Sequence, residues 1–174
     1  MAQRPTFLQD NPIPLQIPLA DDQPDQKQIL RIMEQVVASY SQEPMMREFT
    51  IRLMKGLPNN DIRNQVARTV SFVKDNVTYI RDPNNSEYIV SPVRMLQGYM
   101  GYGFMAGDCD DHVVLLNTML GSMGIPTKCV GVKFGGSPDF NHVISGVFIT
   151  NSMTLIDPCA KGAAQPSYYD TLTV

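Results

Sequence analysis

The sequence predicts an α+β fold in which N-terminal helices and one buried central helix pack on a small antiparallel sheet. Three observations carry that reading. Apolar residues recur every three or four positions in successive segments between residues 26 and 77, the spacing of amphipathic helices. The segment GDCDDHVVLLNTMLGSMG, 107–124, is apolar on most of its circumference past the first turn, as a helix inside a core would be. After Gly124 the pattern changes to short β-rich runs, TKCVGVKF, NHVISGVFIT and MTLIDP, separated by GGSPD and NS turns. Helices first and strands afterwards is the order expected of an α+β domain. With 174 residues, 43% of them hydrophobic, the chain suffices for one domain with a real core, which we place at 25–174.

Residues 1–24 read as an extended arm. Prolines at 5, 12, 14, 18 and 24 fix φ and remove amide donors, so a helix is excluded there. The arm still carries Phe7, Leu8, Ile13, Leu15, Ile17 and Leu19. Those side chains are buried only in a groove made by something else, either the chain's own domain or a neighbouring subunit. A domain able to cover itself favours exchange between subunits, or contact with a virion partner.

Asp25 caps a first helix, QKQILRIMEQVVASY, with Ile29, Ile32, Met33, Val36, Val37 and Tyr40 on its inner face. A second helix starts near Glu43-Pro44 and stops at Gly56, with Phe49, Leu53 and Met54 inward. Asn60 or Asp61 caps a third, along which Ile62, Val66, Val70, Val73 and Val77 recur. DPNN at 82–85 is a turn. Ser91-Pro92 then places a cap and a first-turn proline ahead of a short helix, PVRMLQ. GYMGYGFMAG, 98–107, reads as a glycine-rich loop whose Tyr99, Tyr102 and Phe104 are expected to line a groove. Residues 160–174 give no defined element.

The formal charge is −3, and the excess of acid lies in the second half: residues 81–174 hold five Lys/Arg against eight Asp/Glu. No basic stripe offers itself to a phosphate backbone, which argues against nucleic acid. No apolar run reaches the ~18 residues of a membrane helix, and no signal-type apolar stretch opens the chain. Cys109, Cys129 and Cys159 are odd in number and widely spaced, which suits free thiols in a reducing compartment and no metal cluster. These features fit synthesis in the cytoplasm, with association with a virion left to the assembly reading.

Cys109 is the residue that calls for a chemical explanation. Asp108 is a good N-cap, so Cys109 falls in the first turn of the central helix. Free amides and the dipole at that end favour a thiolate and can stabilise an oxyanion. Asp110 and Asp111 oppose the effect. A nucleophilic thiol needs a base, and the base an orienting group. His112 lies on the same helix and reads as part of its wall. His142 opens a separate strand, and Asp157 ends the next one, so two adjacent antiparallel strands hold them side by side. The residues by themselves also allow a plain alternative: a buried cysteine, a surface histidine and a turn aspartate. Cys129 and Cys159 read as small buried residues. DCDDH lacks the glycine and distant glutamate of a calcium loop, so no metal and no cofactor is expected.

GDCDDHVVLLNTMLGSMGIPTKCV, NHVISGVFI and LIDPCA together resemble the transglutaminase-like superfamily, and IVSPVRMLQ upstream resembles the stretch preceding the cysteine in short bacterial and phage members. The resemblance spans roughly 60–160 and implies a papain-like core. It implies Cys109 as nucleophile, His142 as base and Asp157 as orienting carboxylate, acting on a protein or peptide substrate. Asp111 matches a recurrent aspartate expected to cap the helix. Gln97 is the candidate for a second oxyanion donor. Where many members have His-Ala-Trp, this chain has His142-Val143-Ile144, and it contains no tryptophan. The activity implied is cysteine-dependent acyl transfer, by a peptidase or amidase or by a protein crosslinker; the small size and the missing aromatic favour hydrolysis. The resemblance to phage members leaves a second reading, a virion or assembly component built on this fold, making its contacts through residues 1–24.

Overall fold

The computed structural model of the chain describes residues 15–18, 26–83, 86–133, 137–160 and 171–174. Five helices are described: α1 (Gln26–Tyr40), α2 (Pro44–Leu53), α3 (Ile62–Asn76), α4 (Pro92–Tyr102) and α5 (Cys109–Ser122). A four-stranded antiparallel sheet has the order β7-β6-β5-β8, built from β5 (Thr127–Val132), β6 (His142–Ile149), β7 (Ser152–Ile156) and β8 (Thr171–Leu172). Two small pairings complete the fold. β1 (Leu15–Pro18) runs antiparallel to β3 (Ser86–Ile89), and β2 (Val77–Tyr79) runs parallel to β4 (Met105–Gly107). This is the α+β architecture expected.

α5 is the centre of the molecule. Val113, Val114, Leu115, Leu116, Met119 and Leu120 are all fully buried. Leu115, Leu116, Met119 and Leu120 meet Met46 of α2, Val66 and Val73 of α3 and Leu96 of α4. Val113 and Val114 meet Leu30, Met33, Val36 and Val37 of α1, with Cys129 and Val143 of the sheet. Burial of such side chains contributes about 1.5–3 kcal/mol each, so α5 is held from both sides. Asn117 on α5 is buried too, and it is satisfied: its Nδ2 donates to Cys129 Sγ at 3.5 Å, and its Oδ1 accepts from the Ser145 hydroxyl. Cys129 and Ser145 are direct cross-strand partners on β5 and β6. The amide therefore pins the helix to one register of the sheet, and a polar group this deep is costly unless bonded in this way.

The structure departs from the sequence reading at several places. GYMGYGFMAG is no loop: α4 continues to Tyr102, Gly103 caps it with φ 69°, and Met105–Gly107 is a strand. Gly98 lies inside the helix, and the Phe104 carbonyl returns so close that a Cβ there would sit 2.8 Å from it. Ile62 is 38% exposed at the solvent end of α3, so the buried stripe starts at Val66. α2 ends at Leu53 instead of Gly56. Of the arm, residues 15–18 form β1 on their own chain; the other arm residues and the expected cap Asp25 lie outside the described residues, as do Asn84 and Asn85 of the turn. Among the described residues, no helix is long and apolar enough to cross a membrane.

Candidate active site

The site is built where α5 begins. Asp108 is the N-cap, and its side chain accepts from the Asp110 amide at 3.3 Å. Asp111 completes a capping box: its Oδ2 accepts from the Asp108 amide at 3.3 Å, and its Oδ1 accepts from the Val90 amide at 2.6 Å. One carboxylate thus ties the helix start to the end of β3, as well as capping it. Gly107 is required for this, because a Cβ there would fall on the Asp111 carboxylate. Burial raises Asp111 well above the usual carboxylate range, and Asp108 and Asp82 add to that. The carboxylates of Asp108, Asp110 and Asp111 lie within 4.8 Å of one another.

Cys109, half-buried, is the first residue of α5. Burial pushes its thiol well above the ordinary 9.0, and Asp108 and Asp110 push the same way; a bond from the Val143 amide works against them. Helix-start amides that would favour a thiolate are thus outweighed. Val143 adjoins His142, so the start of β6 meets the start of α5.

His142 opens β6 opposite Val132 of β5. β6 and β7 pair with Ser145 opposite Ile156; one step further along that register sets Asp157 opposite Ile144, and His142 is then its diagonal neighbour on the same face. The side chains use that proximity: His142 Nε2 lies 3.0 Å from Asp157 Oδ2, with the carboxylate 4% exposed and the imidazole 14%. Asp157 Oδ1 accepts from the Cys159 amide at 2.8 Å, which fixes the carboxylate from behind.

Cys109 and His142 line one cavity of ≈ 140 Å³. Its apolar wall is Ile29, Leu30 and Met33 of α1, with Phe140 across from them, and Gln26 stands at its edge. Ile29 and Met33 were expected on the inner face of α1, but not beside Cys109; Leu30 and Phe140 were not singled out by the sequence, and Phe140, an aromatic two positions before His142, was the available signal. The other sequence candidates lie elsewhere. Gln97 is exposed on α4 and does not line the cavity. The aromatics expected at a groove do not reach it either. Tyr99 packs on Phe49 and Phe72, with ring centroids 6.0 and 5.1 Å away, while Tyr102 and Phe104 are solvent-exposed. His112 is buried in the helix wall, its Nδ1–H donating to the Asp108 carbonyl at 2.6 Å, and burial lowers its pKa. Cys129 is fully buried; Cys159 is half-buried, with its thiol pushed up mainly by burial.

A cysteine at the start of a buried central helix, sharing a cavity with a histidine on an antiparallel sheet, sits in a papain-like fold. Within that class the chain belongs to the transglutaminase-like superfamily, whose profile matches residues 47–158. Two solved structures share the fold. A candidate cysteine protease from Cytophaga hutchinsonii superposes with a TM-score of 0.54 at 19% identity, over 69% of this chain and 38% of that one. A candidate protease from Parabacteroides distasonis gives 0.58 at 16% identity, over 95% of this chain and 32% of that one. This chain therefore spans about a third of the length of each. No curated protein matches it.

Proposed function

We propose that the protein is a cysteine-dependent acyl-transfer enzyme in which Cys109 is the nucleophile, His142 the general base and Asp157 the group that orients it. The single observation that carries the reading is the 3.0 Å contact between His142 Nε2 and Asp157 Oδ2, on a histidine that shares its cavity with Cys109. With Nε2 turned to the carboxylate, proton exchange with the thiol runs through Nδ1. Because the resting thiol sits above its ordinary pKa, it attacks as a thiol that loses its proton in the same step. Sγ bonds to the substrate carbonyl carbon as Nδ1 takes the proton, and Asp157 stabilises the imidazolium. The tetrahedral adduct then expels ammonia or an amine, which takes the proton from Nδ1 and leaves a thioester. Water, deprotonated by His142, releases the acid; a second amine in place of water would crosslink. A helix-start amide and its dipole suit the developing oxyanion. The chemistry calls on no cofactor.

Wild type and Cys109→Ala, incubated with a glutamine-rich protein such as casein, test this by release of ammonia and of new amino termini. Turnover in the wild type and none in the variant, with a thioester adduct on Cys109 by mass spectrometry, is the expected result. Equal turnover by both would remove the reading. Amino termini without ammonia indicate a peptidase, and ammonia with new cross-links indicates a transamidase.

A further inference from the structure

We propose that the cavity beside Cys109 is a specificity pocket for one apolar side chain of leucine to phenylalanine size, on the acyl side of the carbonyl that Cys109 attacks. Peptides carrying such a residue next to the cleaved bond are then its substrates, in preference to glutamine carboxamides. The proposal deepens the reading of Cys109 as nucleophile and rests on it. The pocket has two apolar walls. Ile29, Leu30 and Met33 of α1 make one and Phe140 the other, and Cys109 and His142 line the same space. α1 lies ahead of residues 47–158, which the superfamily profile matches, so three of these four wall residues come from outside the matched core. Positions 29, 30 and 33 share one side of the helix. Leu30 and Met33 are buried and Ile29 half-buried, so Ile29 is the part of that wall nearest solvent.

Both walls are held in place. The Gln26 side-chain amide donates to the Phe140 carbonyl, which ties the start of α1 to the segment leading into β6. The Phe140 ring has Lys133 Nζ 5.2 Å from its centroid, a cation–π contact. Gly131 of β5 completes the lining without adding a side chain. The space, ≈ 140 Å³, fits a single side chain: an apolar cavity of about 150 Å³ accommodates a benzene ring. Charge selects as well. Among the described residues that line it there is no lysine or arginine, and buried Asp110 adds a carboxylate. An acidic side chain therefore meets like charge. A glutamine carboxamide would set its oxygen against aliphatic groups, where an unbonded polar atom is costly. An aliphatic or aromatic side chain loses only its contact with water there, which is favourable.

Two series of p-nitrophenyl esters, N-acetyl-Gly-Xaa and N-acetyl-Xaa-Gly, test this on the wild-type protein, with Gly, Ala, Leu, Phe, Gln or Glu as Xaa. Sγ displaces p-nitrophenolate from the carbonyl carbon while His142 takes the thiol proton. Release of p-nitrophenolate, with the thioester mass on Cys109, gives the acylation rate. Dividing each rate by that of free cysteine with the same ester removes the intrinsic reactivity. The expected result is Leu and Phe about 10²-fold above Gly in one of the series, with Gln and Glu no faster than Ala. Equal rates throughout both series overturn the proposal, and so does Gln or Glu as the fastest. Ile29→Ala and Ile29→Phe tie the preference to this cavity. Opening the wall should raise the ratio of Phe to Leu, and filling it should lower both against Gly, by about tenfold each. Ratios unmoved in variants that melt as wild type does overturn the assignment of the pocket. Cys109→Ala separates the two levels. If it releases p-nitrophenolate as wild type does, the nucleophile itself is misassigned and the proposal falls with it. If it is inert while wild type takes every ester alike, only the pocket is lost.

Discussion

Asp157→Asn removes one charge and exchanges one acceptor oxygen for an NH2, and the surroundings of the carboxylate dictate how the new amide must sit. Oδ1 accepts from the Cys159 amide at 2.8 Å, and Oδ2 faces His142 Nε2 at 3.0 Å. A backbone N–H can only donate, so the single oxygen of the substituted side chain stays with Cys159 and its NH2 turns to the imidazole. The ring meets an NH2 only through a lone pair. Nε2 must then give up its hydrogen, and the proton moves to Nδ1, the nitrogen that acts as base in the proposed mechanism. Losing a charge-assisted bond costs about 1.5–3 kcal/mol. Losing the carboxylate's pull on the imidazolium is worth about 4 kcal/mol at 4 Å in a medium of effective dielectric near 20. The two overlap, because one contact carries both, which leaves a loss of about 3–5 kcal/mol, or about 10²- to 10⁴-fold in kcat at 1.36 kcal/mol per tenfold. The assay is steady-state turnover of wild type and variant with Cys109→Ala as the zero, alongside ¹⁵N shifts of the His142 ring and a thermal melt. Folded variant protein with its ring proton moved to Nδ1 and kcat down by that factor is the expected outcome. Activity within about threefold of wild type, on an unchanged tautomer, would refute the reasoning.

Three further outcomes follow from the same geometry. Burial, Asp108 and Asp110 hold the Cys109 thiol above 9.0, so at any lower pH less of it is thiolate than of an exposed cysteine; iodoacetamide labelling should be slow at pH 6 and climb about tenfold per pH unit towards pH 8, and a plateau below pH 7 would reveal a resting ion pair with His142 instead. Gly107→Ala drives a methyl into the Asp111 carboxylate and should lower stability by about 1–3 kcal/mol, read as a fall in Tm; an unchanged melt would mean that Asp111 can leave Val90 without loss. Deleting residues 1–24 removes β1, which pairs with β3 of its own chain, so the truncated protein should melt several degrees earlier at an unchanged mass by light scattering. Dissociation of an oligomer into folded monomers would show instead that the arm serves a neighbour.

Much of this was legible in the sequence because it is local. The helix stripes of α1, α3 and α5 follow from three- and four-residue spacing, and Asp61 and Asp108 cap where a short acceptor precedes an apolar run. The His142–Asp157 pair also follows from local order, since two strands joined by a tight turn have one register that buries their apolar sides. What was not legible depends on contacts between distant segments. The glycines at 98, 101 and 103 read as a loop, yet Gly98 is in a helix and is glycine because the chain returns over it at Phe104. Tyr99 was expected at a groove and is instead the third ring of a cluster with Phe49 and Phe72, two residues on other helices. The α1 wall of the cavity could be read as an apolar face, but only its docking on α5 and β5 says which part of that face meets Cys109. Asp111 was recognisable as a cap; its bond to Val90, 21 positions away, was not.

The position of Cys109 between aspartates then has a physical explanation. Three amides at the helix start are already engaged: Asp110 donates to the Asp108 side chain, Asp111 to that of Asp110, and Asp108 to that of Asp111. These bonds stabilise the helix start and anchor it to β3, and they leave negative charge beside the sulfur, which raises the thiol instead of lowering it. The charge of these caps opposes the helix dipole at the sulfur. Under the proposed chemistry the activation therefore comes from the other side of the cavity, where Asp157 fixes His142 with Nδ1 as the base. The same aspartates penalise negative charge on sulfur only while it is negative. Once Sγ is bonded to a carbonyl carbon the charge has moved outward to the oxygen, away from Asp108 and Asp110 and towards whatever donors face it. A site arranged in this way disfavours the free thiolate more than the tetrahedral adduct, which is differential stabilisation of the kind that accelerates a reaction. Neutralising the acid by Asp110→Asn should thus speed alkylation of Cys109 by iodoacetamide, which tracks thiolate alone, more than it speeds acylation, and equal acceleration of both would show that the acidic neighbours oppose the two states alike.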